Sequence, residues 1–276
     1  MTDVRDAPAS TPQQAGGSVQ GHLIWYELMT PDADGSKAFY DGVVGWNIQT
    51  THGEDTGYGF VNAADGMIGG VLHLTADMTE HGARPCWVGY IGVDDVDASL
   101  AAVEAAGGKV LMPARDIEMA GRIAMVADPN GAPFYIMTPT PPPGGGESHA
   151  FSPTLVGHCA WNELMGADQQ AALDFYTGLF GWSLPEPMDM GDMGKYQFVA
   201  HDGVTTGAIM RKLPQAPVSA WSHYFRVAEI NAAKAAVEEA GGTIMTGPME
   251  VPGGDWIIQG MDPQGAFFTL VGAKGN

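Results

Sequence analysis

The stretch GHLIWYELMTPDADGSKAFYDGVVGW at 21–46 returns as GHCAWNELMGADQQAALDFYTGLFGW at 157–182. His22, Trp25, Glu27, Asp32, Phe39, Tyr40 and Trp46 reappear as His158, Trp161, Glu163, Asp168, Phe175, Tyr176 and Trp182, each 136 positions on. Further along, Val93, Gly107, Asp128, Pro129 and Gly131 reappear as Val227, Gly241, Asp262, Pro263 and Gly265, at an offset of 134. The two residues lost in between fall in a loop. Self-similarity over so long a period marks a duplicated domain, and it constrains the fold more than any single motif. A chain of 276 residues has room for two domains of ordinary size. We place a disordered leader at 1–19, the first domain at 20–139, an extended Pro/Gly linker at 140–155 and the second domain at 156–273.

Within each copy the pattern alternates between strand and helix. His22–Thr30 carries Trp, Tyr and Ile and suits a strand, and an acidic residue follows where a helix start needs a cap. Apolar residues at helical spacing then run to Gly45, which ends the helix. Trp46–Thr51, Gly57–Asn62 and Met67–Thr75 read as three short strands, which completes one βαβββ unit. A second unit starts at Trp87, with an amphipathic helix over 96–106 and strands at Lys109–Ala114, Arg122–Ala127 and Pro133–Thr138. The second domain repeats the plan, with helices at Gln170–Leu179 and Ala232–Ala240. The fold class is therefore α+β, with four βαβββ units in two pairs. Two such units can curl their uncovered sheet faces into a cup with the helices outside.

The formal net charge of −20 repels phosphate backbones, and no Lys/Arg cluster offsets it, so nucleic-acid and anionic-membrane partners are not expected. No apolar run of about 18 residues and no signal-peptide core is present, so no membrane span or secretion signal is expected. Cys86 and Cys159 imply no disulfide framework, and a reducing cytoplasm is the expected setting.

The combined pattern resembles a known family. A strand, an Asp, Phe-Tyr seven residues later and then Leu/Val-x-Gly-Trp, followed by V-D-D-V-D-A, A-A-G-G and D-P-x-G, is similar to the glyoxalase/bleomycin-resistance/dioxygenase modules of the vicinal oxygen chelate superfamily. The likeness covers nearly all of 20–272, twice, and the WxELMxxD form most resembles two-domain bacterial glyoxalase-like proteins. It implies two tandem glyoxalase-like domains, each a cupped mixed sheet of two modules. In metalloenzyme members it implies a divalent ion in the cup (Fe, Mn, Ni or Zn), held by His and Glu from the first, fourth, fifth and eighth strands and acting as a Lewis acid. The matching positions here are Trp25 and Trp161, His73 and Met210, Gly89 and His223, and Tyr135 and Thr269. Pairing the first unit with the fourth would bring His73 and His223 into one cup as metal ligands, with Trp25 and Thr269.

Strand parity sets Glu27 beside Trp25 and Glu163 beside Trp161 on one face. A carboxyl in such an apolar setting has a raised pKa and can act as general acid or base, so Glu27 and Glu163 are the catalytic candidates. A carboxylate simply hydrogen-bonded to its surroundings stands as the other reading. Trp25, Trp161, Tyr135, Trp221 and Thr269 are candidates to line a pocket for a flat or apolar small molecule, with core packing the alternative for the aromatics. His22 and His158, by parity, face away from the cups. Three functional classes follow: an enzyme on a small organic molecule with the usual metal ligands largely replaced, a metal-free binding or sequestration protein, and an interaction module. The linker can span two domains packed as an internal pseudo-dimer, which makes a monomer as plausible as a homodimer.

Overall fold

The computed structural model of the chain describes residues 18–50, 57–141 and 148–275. Most of the expected leader (1–17) and the middle of the expected linker (142–147) lie outside the described residues. The described end of that linker docks onto the protein: Ser148 Oγ donates to the Ile24 carbonyl and Ala150 is fully buried.

The first unit runs β1 (Leu23–Thr30), α1 (Ala33–Val44), β2 (Asn47–Thr50), β3 (Tyr58–Ala63) and β4 (Gly66–His73). A short helix, α2 (Ala76–Glu80), which the sequence pattern did not signal, leads into the second unit. That unit is β5 (Cys86–Gly92), α3 (Val96–Ala105), β6 (Lys109–Ile117), β7 (Gly121–Ala127) and β8 (Pro133–Pro139). The second domain repeats it as β9 (Cys159–Gly166), α4 (Gln169–Phe180), β10 (Met188–Asp189), β11 (Lys195–His201) and β12 (Val204–Arg211). It closes with β13 (Ala220–Glu229), α5 (Ile230–Glu239), β14 (Thr243–Glu250), β15 (Trp256–Met261) and β16 (Phe267–Ala273). The Asp of the repeat explains the helix starts: Asp32 caps the Gly35 N–H and Asp168 the Ala171 N–H. Gly45 and Gly181 end the same helices in the left-handed conformation, at φ 84° and 67°, where a side chain would be strained.

Each domain forms one eight-stranded mixed sheet, in the orders β2-β3-β4-β1-β5-β8-β7-β6 and β10-β11-β12-β9-β13-β16-β15-β14. A cup therefore joins the first unit with the second, and the third with the fourth. The first and fourth units do meet, but through their helix-bearing faces: α1 packs on α5, as α3 packs on α4. The main core lies between the domains, where Tyr26, Phe39, Tyr40 and Trp46 pack with Phe225, Ile230 and Phe268. Each such buried side chain contributes about 1.5–3 kcal/mol.

The repeated motifs are reciprocal clasps across this seam. Tyr40 donates to Asp262 Oδ2 (3.0 Å) and accepts from Trp87 Nε1, while Tyr176 donates to Asp128 Oδ2 (3.5 Å) and accepts from Trp221 Nε1. Trp46 Nε1 donates to the Gly157 carbonyl and Trp182 Nε1 to the Gly21 carbonyl. The D-P-x-G Asp uses its other oxygen to hold its own turn, accepting from the Asn130 and Ala132 N–H groups in one copy and from Gln264 and Ala266 in the other.

Candidate functional site

In β1, Tyr26 and Leu28 point into the interdomain core, so Trp25 and Glu27 point to the outer, cup face. Glu27 lies opposite Gly70 of β4 and Val88 of β5. Tyr90 of β5 donates to Glu27 Oε2 at 2.9 Å, and Tyr135 of β8 stacks on Tyr90 with ring centroids 4.3 Å apart. Tyr58 of β3 also hydrogen-bonds Glu27 and accepts from Trp25 Nε1 at 3.0 Å. The phenol reaches the carboxyl by crossing Gly70, where any Cβ would overlap its hydroxyl. Glu27 is only 3% exposed, and its Oε1 has no hydrogen-bond partner. Burial outweighs the two phenolic hydrogen bonds and the attraction of Arg115, and lifts its pKa to about 7. Tyr58, Tyr90 and Tyr135 are pushed above the ordinary phenol value by the same burial and by the Glu27 charge, so they remain donors.

The second cup repeats the arrangement. Tyr196 donates to Glu163 Oε2 at 2.7 Å and accepts from Trp161 Nε1 at 2.8 Å, and Tyr224 reaches Glu163 Oε1 at 3.5 Å. Burial again raises the Glu163 pKa. The walls differ: Thr269 stands where Tyr135 stands in the first cup, its buried Oγ1 without a partner, and Gln259 Nε2 donates to Tyr224.

The structure brings together Glu27, Trp25 and Tyr135 in one cup and Glu163, Trp161 and Thr269 in the other. It does not bring His73 and His223 together. His73 is exposed at the end of β4, opposite Thr30, on the lip of an open cleft of about 310 Å³ that also includes Asp32 and Tyr58. His223 is buried between the two sheets; its Nδ1–H donates to Asn162 Oδ1 at 2.8 Å and its ring lies over Gly89. The spacing count from the V-D-D and V-A-E landmarks lands one residue short of Tyr90 and Tyr224, and a slip of one flips a strand residue to the opposite face. Trp221 also faces the seam, donating to Tyr176, and does not line the second cup.

Among the described residues, phenols, an indole and aliphatic side chains surround each cup carboxyl, with Arg115 near Glu27 and Thr269 and Gln259 in the second cup, and no imidazole joins either set. That donor set does not fit a Fe, Mn, Ni or Zn centre of His and carboxylate ligands. What the arrangement can do is hold a proton near neutral pH on Glu27 and present phenolic donors beside it. Tyr58, Tyr90 and Tyr196 were missed in the sequence, although Y-G-F at 58–60 and Y-Q-F at 196–198 form a further repeat.

The sequence model of the glyoxalase/bleomycin resistance protein/dioxygenase superfamily matches residues 22–136 and 155–270. The proposed glyoxylase CFP32 of Mycobacterium tuberculosis is 32% identical, covering 91% of this chain and 95% of its own. The anthracycline biosynthesis protein DnrV of Streptomyces peucetius is 30% identical, over 91% and 93%. Among solved structures, the Mn(II)-bound glyoxalase from Novosphingobium aromaticivorans superposes with a TM-score of 0.63 at 20% identity, over 92% of this chain and 83% of that one. The 2,3-dioxygenase LapB from Pseudomonas sp. KL28 does so with 0.63 at 14% identity, over 94% and 93%. A divalent metal is thus found in a protein of this fold.

Proposed function

The chain belongs to the glyoxalase/bleomycin resistance protein/dioxygenase superfamily, and we propose that it is an enzyme that moves a proton on a small, flat organic molecule held in its cups, with Glu27 as the acid–base group. The observation that carries this is the buried carboxyl of Glu27, with one oxygen unengaged and a pKa of about 7. A general acid or base works best when its pKa sits near the operating pH. In this reading Tyr58 and Tyr90 hold one carboxyl oxygen in place, Trp25 fixes Tyr58, and the stacked Tyr90–Tyr135 pair offers an aromatic wall. Glu163 plays the same part in the second cup, against Trp161 and Thr269. The name of the DnrV relative makes an aromatic ketone or hydroxyquinone the substrate class to try first. No step here runs through a metal.

The test follows two signals. Quenching of tryptophan fluorescence by a hydroxyanthraquinone reads binding, and solvent deuterium entering the C–H position next to the carbonyl of an aryl alkyl ketone reads proton transfer. Glu27→Gln should keep binding within a few-fold and slow exchange by about 10²–10⁴-fold. Binding with no exchange in the wild-type protein refutes the enzyme reading and supports metal-free sequestration.

The same reading has the chain act as a monomer, since its domains already bury their helix-bearing faces on each other. Among the described residues no helix is long and apolar enough to cross a membrane. Two unpaired cysteines, Cys86 and Cys159, suit the reducing cytoplasm we propose as its setting.

A further inference from the structure

His22, just before β1, and the tip of the β11–β12 hairpin meet at the seam. His22 Nε2 lies 3.2 Å from Asp202 Oδ2, and His201 Nε2 lies 3.7 Å from the same oxygen. The two imidazoles stand edge to face with centroids 4.6 Å apart, and one ligand atom from each of the three residues falls within 4.8 Å of the others. We propose that His22, His201 and Asp202 form a cation site for an imidazole-preferring divalent metal such as Zn²⁺, which clamps the first domain to the second.

The molecule contains its own control for this site. The duplicated position, His158, faces Asp65 on the hairpin of the first domain at 2.9 Å, and its Nδ1 is engaged by the His149 carbonyl. Both ring nitrogens of His158 are thus engaged, and it needs nothing more. There the residue before the hairpin Asp is Ala64; here it is His201, whose two buried ring nitrogens make no close hydrogen bond, the Gln20 backbone offering only a weaker contact. An unsatisfied buried nitrogen costs stability unless something accepts its lone pair or donates to it.

The geometry suits a metal. Ligands at about 2.0–2.1 Å from a tetrahedral Zn²⁺ stand roughly 3.3 Å apart, which the 3.2 and 3.7 Å distances to Asp202 bracket, and the third pair, between the two imidazoles, lies within 4.8 Å. The His201 ring is held in place, since a Cβ on Gly21 would come within 2.8 Å of its Cε1, and Gly21 itself is pinned by Trp182. Asp202 is 72% exposed, so water can complete the coordination. The net charge of −20 favours cation approach. The site rests on the seam and is independent of what the cups do.

The test uses the full chain without an affinity tag. Calorimetric titration with Zn²⁺ alone should show one ion per chain. Titration with Co²⁺ should give the visible bands of a low-coordinate nitrogen–oxygen site. At a hundredfold excess over Kd, Zn²⁺ should raise Tm by roughly 5 °C. His201→Gln and Asp202→Asn should each weaken binding at least tenfold and abolish the Tm rise, whereas Glu27→Gln and His158→Gln should leave both intact. Circular dichroism confirms that each variant is folded. No stoichiometric Zn²⁺ binding by the wild type, or undiminished binding in a His22→Gln/His201→Gln double variant, would overturn the assignment.

Discussion

Replacing Glu27 with Gln should make the protein more stable at pH 8 and leave it nearly unchanged at pH 4.5. An unfolded glutamate ionises near 4.5, whereas burial holds the folded one at about 7. Between those values the folded state binds the extra proton, so stability falls as pH rises and the full cost is reached above pH 7. At 1.36 kcal/mol per pKa unit, that cost is roughly 3 kcal/mol. Gln has nearly the same shape, can accept from Tyr90, and carries no charge at any pH. The stability difference between variant and wild type should therefore grow by about 3 kcal/mol from pH 4.5 to pH 8. That corresponds to roughly 6–12 °C in Tm for a chain of this size. Urea unfolding followed by tryptophan fluorescence at four pH values between 4.5 and 8 measures it. Parallel stability curves for the two proteins would show that Glu27 is already ionised in the cup at neutral pH, and would remove the basis for its acid–base role.

His223 works in the opposite direction: its pKa falls to about 3 by burial alone, so it contributes stability above pH 6.5 that is lost as pH drops toward 3. About 3 kcal/mol of that loss falls between pH 6.5 and pH 4, and His223→Gln should flatten this part of the difference curve when unfolding is followed from pH 7 to pH 4. Tyr40→Phe leaves the Trp87 indole and the Asp262 carboxyl without their shared hydroxyl, and should cost about 1–3 kcal/mol in urea unfolding. Tyr176→Phe should cost less, because its bond to Asp128 is already stretched to 3.5 Å. Gly70→Ala pushes Tyr58 off Glu27 and should raise the carboxyl pKa above 7, read directly by carbon NMR of the labelled side chain.

The sequence announced the duplication, the helix caps and most strands because these depend on local chemistry. Asp32 and Asp168 cap, and Gly45 and Gly181 stop, within the same dozen residues. The cup carboxyls were legible for a similar reason, since Glu27 and Glu163 follow from parity with Trp25 and Trp161. The phenols that hold them were not, because Tyr58 arrives from β3 across a glycine of β4, a contact no spacing within one segment reveals. Tyr90 and Tyr224 share the 134-residue offset of the later landmarks, so a fuller comparison of the repeats would have found them. His73 and His223 looked like ligands by count along the chain, but which face a strand residue serves turns on a single residue of register.

Where the two copies differ most is as telling as where they agree. In a dimer of identical chains, a residue at the twofold axis must meet its own copy. Here Tyr26 donates instead to Asn162, which occupies its duplicate position, and His223 fills the space that its duplicate, Gly89, leaves open. The edge of the His223 ring also meets Tyr26, with centroids 5.0 Å apart. Neither arrangement is available to two identical domains, because a pair of Tyr26 rings or a pair of His223 rings would compete for one space. Further from the axis the same constraint does not act, and the Trp46/Trp182 and Tyr40/Tyr176 clasps have stayed alike. Within one chain the seam is thus complementary, while the Trp–Tyr–Glu sets, each enclosed in its own sheet, share one hydrogen-bonding pattern in both cups.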